Sequence, residues 1–102
     1  MKPEYTPEQI GKKVRKIFSE NDVSRAYLFG SYAKGNETEK SDIDIYAEFY
    51  NKKPFFELCG ILYDLREVLH KDVDFFDEDE LKRNPSLYEE AKSERICIYE
   101  KK

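Results

Sequence analysis

The sequence predicts an α/β (α+β) fold: a small mixed β-sheet with helices packed mainly on one face. Four short runs are strand-like, two longer stretches carry apolar residues at helical spacing, and the two kinds of segment alternate along 102 residues. A chain of that length is expected to make one domain over residues 1–102, with one core and no room for a second lobe.

The first helix starts at Thr6-Pro7-Glu8-Gln9. Thr6 is the cap, Pro7 occupies the first turn where its missing N–H costs nothing, and Gln9 completes a capping box. Ile10, Val14, Ile17 and Phe18 then form one stripe, and the helix should stop near Asn21. Lys12, Lys13, Arg15 and Lys16 read as a solvated face. Residues 23–29 read as a strand that ends at Gly30, and residues 31–33 can open a short helix. Residues 34–40 are polar and turn-like. Residues 42–49 form the second strand, which Lys52-Lys53-Pro54 breaks.

Phe55, Leu58, Cys59, Leu62, Leu65 or Arg66, and Leu69 mark a second amphipathic helix. Gly60 inside it costs about 1 kcal/mol against Ala, which suits a point of close packing. Residues 71–76 form a third strand, and acidic residues 77–80 can cap a further short helix. Asn84-Pro85-Ser86 breaks that element, residues 87–93 add another helical turn or two, and residues 95–99 form a final strand.

Composition narrows the function. Charged residues make up 39% and the formal net charge is −4, which argues against a general DNA or RNA binder with its basic face. No apolar run approaches a membrane span and no leader pattern opens the chain, so a cytoplasmic protein away from the membrane is expected. Cys59 and Cys97 lack zinc-type spacing and are expected to be buried core thiols. His70, the only histidine, ends a helix and reads as a dipole partner rather than a base.

The chemistry concentrates between residues 30 and 44. Gly30-Ser31 is followed by ten residues and then Asp42-Ile43-Asp44. On a strand, Asp42 and Asp44 share one face while Ile43 points to the core. Two same-face carboxylates repel unless a cation lies between them, and Mg²⁺ takes carboxylate and phosphate oxygens. A Gly-Ser turn can offer N–H groups and a hydroxyl to those phosphates. Other motifs fail. Residues 30–35 have Walker A glycine spacing, but Asn36 and Glu37 stand where Lys and Ser/Thr are needed. Asp42-x-Asp44 does not continue as an EF-hand, because Tyr46 and Ala47 break the ligand series.

Gly-Ser, a spacer of this length and Asp-x-Asp resemble the signature of the minimal nucleotidyltransferases of the DNA polymerase beta-like superfamily. The order of elements resembles it over most of the chain. The resemblance implies a polymerase beta-like nucleotidyltransferase core with the active site at the sheet's edge. It places a third carboxylate on the strand after the second long helix, where Asp74 is preferred and Asp72, on the same face, is the rival. It implies that Asp42, Asp44 and Asp74 are catalytic and hold two Mg²⁺ ions, and that Gly30, Ser31 and Lys34 bind ATP. Many relatives carry Arg where this chain has Lys34, which keeps the charge but not the bidentate geometry.

Free-standing proteins of this type typically act as antitoxins beside a HEPN-family toxin. The resemblance thus implies transfer of AMP to a tyrosine of that toxin, within a toxin–antitoxin hetero-oligomer. Two alternatives stand beside it. One is an antitoxin that neutralises by binding alone, and the other is a subunit that transfers a nucleotide to a small molecule.

Overall fold

The computed structural model describes residues 5–101. Helix α1 spans Pro7–Glu20, strand β1 Val23–Phe29, the single turn α2 Ser31–Lys34, and strand β2 Ile43–Phe49. Helix α3 (Phe55–Leu69), strand β3 (Val73–Asp77), helices α4 (Glu78–Lys82) and α5 (Pro85–Ser93), and strand β4 (Ile96–Glu100) complete the order. The sheet runs β3-β2-β1-β4. The pairs β1–β2 and β1–β4 are antiparallel, and β2–β3 is parallel across α3, so the sheet is mixed as the sequence predicts.

Local signals explain the helix ends. The Thr6 hydroxyl accepts from the Gln9 amide, and the Gln9 side chain accepts from the Thr6 amide. Asn21 closes α1. Asp77 accepts from the Glu80 amide at 2.7 Å, so the last residue of β3 is also the cap of α4. His70 closes α3 in the left-handed conformation at φ 55°, with its N–H donating to the Arg66 carbonyl.

Alternation along the strands builds a different layer on each face. Ala26, Leu28, Ile43, Ile45 and Val73 pack with Ile10, Val14 and Phe18 of α1 and with Ile61, Leu65 and Leu69 of α3. This is the main core. Tyr27, Phe29 and Tyr46 point the other way and meet Leu81 of α4 and Ala91 of α5. Arg95 ties that smaller layer together: it donates to the Tyr46 hydroxyl and lies 4.2 Å over the Tyr27 ring.

Several expectations need correction. Asp42 lies just before β2 rather than in it, and β3 and β4 each begin and end later than predicted. Asn84-Pro85 starts α5 rather than only ending α4, since Asn84 accepts from the Leu87 amide and Pro85 is the first helical residue. Both cysteines are exposed. Cys59 misses the buried stripe of α3 by one position, and Cys97 alternates outward on the edge strand β4. Phe55 is also exposed. Gly60 has no atom within 4 Å of the place its Cβ would take, so it serves no contact inside this chain.

Candidate active site

The site lies where β1 ends and β2 and β3 begin. Phe29 pairs with Asp44 across β1–β2, and Asp44 pairs with Asp74 across β2–β3. Parallel partners in register put both carboxylates on the same face, opposite the main core, because Ile43, Ile45 and Val73 fill the other. The chain then turns at Gly30, with φ 69° and ψ −147°, into the single turn α2. A Cβ on Gly30 would sit 2.2 Å from Asp44 Oδ2. The left-handed φ and the approach of a carboxylate thus both require glycine there.

The spacer between the turn and β2 is tethered. Thr38 and Ser41 exchange backbone and side-chain hydrogen bonds, at 3.0 Å and 2.9 Å. Lys71 is buried, donates to the Glu39 carbonyl at 2.9 Å and lies over the Tyr32 ring. These contacts fix the approach to Asp42, which is exposed at the mouth.

An open cleft of about 450 Å³ results, lined by Gly30, Ser31, Lys34, Asn36, Ser41, Asp42, Asp44, Asp74 and Glu90. It holds all six residues singled out from the motif, and Asp72 is not among its lining. A larger depression of about 1080 Å³ lies between α1 and β4, but its two acids, Glu8 and Glu100, are each paired with a base, Lys12 and Arg25. Sequence reasoning missed Asn36, Ser41 and Glu90. Asn36 and Ser41 belong to the polar spacer and could have been read as neighbours of the motif. Glu90 comes from α5, and nothing near it in the chain marks it. It holds Lys34 in an ion pair at 3.0 Å across the cleft.

The electrostatics follow from crowding. The Asp44 carboxyl is pushed up from 3.8 to about 7, first by burial, then by the charge of Asp74, a hydrogen bond with Asp74, and the charges of Asp42 and Glu90. Among the described residues, no three His, Cys, Asp or Glu side chains form a ready-made metal cluster. The donor set nevertheless fits a hard cation. Its oxygens are carboxylate, and the crowding that raises Asp44 is a repulsion that a dication beside it would relieve.

Residues 12–102 match the family described as Polymerase beta, Nucleotidyltransferase, and the chain belongs to that family. It is a nucleotidyltransferase. A candidate protein adenylyltransferase of Methanocaldococcus jannaschii is 44% identical over 66 residues, which are 65% of this chain and 71% of that protein. A second from the same organism is 33% identical over 94 residues, covering 89% and 93% of the two chains. The fold is similar to a chain in a crystal structure of a toxin–antitoxin with AMP-PNP. That match has a TM-score of 0.75 at 24% identity, over 90% of this chain and 74% of that one. It is also similar to a chain in the structure of tri-AMPylated Shewanella oneidensis HEPN toxin in complex with MNT antitoxin. Here the TM-score is 0.71 at 20% identity, covering 93% and 73%.

Proposed function

We propose that this chain transfers AMP from ATP to a tyrosine hydroxyl of a helical HEPN-type toxin and so acts as its antitoxin. The observation that carries the reading is the packing of Gly30 against Asp44 beside Asp74, within a cleft that also presents Ser31 and Lys34. The adenylyl group and the protein acceptor are suggested by the names of the relatives. A toxin partner, and a hetero-oligomer with it, are suggested by the complexes in which the similar folds occur.

In this reading Gly30 lets the backbone approach the triphosphate, Ser31 offers its hydroxyl, and Lys34 leaves Glu90 to meet a phosphate. Asp42, Asp44 and Asp74 would hold the two Mg²⁺ ions, which when bound supply charge neutralisation at the triphosphate and acidify the acceptor hydroxyl. The tyrosine oxygen bonds to the α-phosphorus as the bond from that phosphorus to the bridging oxygen breaks, and pyrophosphate leaves. Asp74, exposed at the cleft's rim, takes the phenolic proton. Position and electrostatics supply most of the rate.

The test is co-expression with a HEPN-type toxin and intact-mass spectrometry of that toxin. An AMP-sized mass increase with wild type and none with Asp44→Asn is expected. Equal neutralisation by Asp44→Asn with no mass change would make the binding-only antitoxin the better reading.

A further inference from the structure

Helix α3 has a second apolar face that the fold leaves uncovered. At about 100° per residue, Phe56, Gly60, Tyr63 and Glu67 lie opposite the buried residues Ile61, Leu65 and Leu69. Phe55, Phe56 and Tyr63 are 73%, 74% and 64% exposed. Phe56 and Tyr63 lie on this face and Phe55 at its N-terminal edge, and the three present roughly 400 Å² of aromatic surface, about half of what one partner contributes to a standard interface. Gly60 sits between Phe56 and Tyr63 with open space above it. In the isolated chain it only weakens the helix. Facing a partner, it makes a notch between two rings.

The border of this strip states what fits. Glu57 and Asp64 line one flank, both exposed, and among the described residues neither has an ion-pair partner. On the other flank, Arg66 is engaged with the Val73 carbonyl at 3.2 Å. Arg66 keeps its charge, but Glu57, Asp64 and Glu67, whose carboxylate accepts from the Tyr63 hydroxyl, outnumber it, so the net charge along this face is acidic. An antiparallel pairing of two copies across Gly60 would set Glu57 and Asp64 against the same acids, which repel. Anionic lipid headgroups meet the same objection.

We propose that the outward face of α3, centred on Phe56, Gly60 and Tyr63, docks an amphipathic helix of a partner protein whose apolar stripe is flanked by Lys or Arg. An apolar side chain of that helix seats over Gly60, and its basic flank meets Glu57 and Asp64. Asp44 and Asp74 lie on the opposite face of the sheet, so docking leaves the cleft open. The inference does not depend on the roles assigned to those acids.

The test uses the full chain and two dye-labelled helical peptides with the same Leu/Ala stripe, one flanked by Lys and one by Glu, read by fluorescence anisotropy. The Lys-flanked peptide should bind at least about tenfold tighter, which corresponds to about 1.4 kcal/mol, and should weaken in high salt. Phe56→Ser and Tyr63→Ser should each lose about tenfold in affinity, as truncated anchors do, with melting unchanged. Gly60→Ala should melt higher yet bind more weakly, a combination that a purely structural glycine would not give. Asp44→Asn should bind as wild type does, which separates this surface from the cleft. Equal binding of both peptides, or full binding by Phe56→Ser, overturns the proposal. So does sedimentation that shows a dimer of the chain lost in Phe56→Ser, or vesicle binding lost in the same variant.

Discussion

Replacing Asp44 with Asn should make the metal-free protein more stable above neutral pH. The reason is the carboxyl's displacement from 3.8 to about 7, caused first by burial and then by Asp74. A carboxyl whose folded-state value is raised favours the protonated native state. The stability it contributes is fully present below about 4 and is lost as pH rises towards about 7. Taken in full, the rise from 3.8 to about 7 would correspond to about 4 kcal/mol. Asp44 is only half-buried, so solvent screening reduces this to about 1–2 kcal/mol. For a chain of this size that is a rise of roughly 5–10 °C in Tm.

The assay is thermal unfolding in EDTA at pH 4 and at pH 8. Wild type should lose stability between the two by more than Asp44→Asn does, and the variant should melt higher at pH 8. Added Mg²⁺ should raise the wild-type melting point at pH 8, since a ligand of the native state stabilises by mass action. It should raise the variant much less. If Asp44→Asn melts no higher than wild type at pH 8 in EDTA, the crowding argument is wrong. If Mg²⁺ stabilises both equally, Asp44 is not its ligand.

Further expectations follow from the same geometry. Gly30→Ala should abolish nucleotidyl transfer and lower stability by about 1–3 kcal/mol, measured by denaturant unfolding, because its Cβ would meet the Asp44 carboxylate at a left-handed φ. Asp74→Ala should lose transfer but keep ATP binding, while Asp72→Ala keeps most activity; a dead Asp72→Ala would put the third acid on the wrong residue. Glu90→Gln should tighten ATP binding severalfold in titration calorimetry by releasing Lys34, and should change stability by less than about 1 kcal/mol because the pair is exposed. Lys34→Ala should weaken ATP binding, and Glu90→Gln should then add nothing to it.

Much of the candidate site was legible because its signals are short-range. The capping box at Thr6, the alternation of Ile43 with Asp44, and the glycine at position 30 each depend on residues within a few positions. What failed depends on phase or on distance along the chain. Residues 55–65 carry apolar side chains over well more than half of the helix circumference, so the sequence does not say which part of that arc faces the sheet. The structure chooses Ile61, Leu65 and Leu69, which leaves Phe55 and Cys59 outside. Cys97 sits on an edge strand with a register shift between Ala26 and Tyr27, where the partner residues step from Tyr99 to Cys97. Asn84-Pro85 carries both a break and a start, and only the path of the chain shows that it does both. Glu90 reaches the cleft because α5 packs Ala91 against the sheet, a long-range contact with no local mark.

The two faces of the sheet explain why the cleft stays open. The face towards α1 and α3 is filled along its length, from Val23 to Val73. The other face is covered by the short helices α4 and α5, whose apolar contacts take in Tyr27, Tyr46, Phe76 and Phe29, the cross-strand neighbour of Asp44, but leave out Asp44 and Asp74 themselves. Arg95 holds that limit by bonding Tyr46 and stacking on Tyr27, so the cover is anchored beside the acids rather than over them. Had α5 extended its apolar contacts one position further, the Asp44–Asp74 pair would be sealed from both nucleotide and acceptor. A cation would then be harder to admit, and the desolvation that already raises Asp44 would grow. On the proposed reading, the partial cover suits the site to adenylyl transfer. It leaves Asp44 raised, a charge that a cation would relieve, and it leaves the rim, with Lys34 and Glu90, facing the solvent from which the proposed nucleotide and acceptor would come.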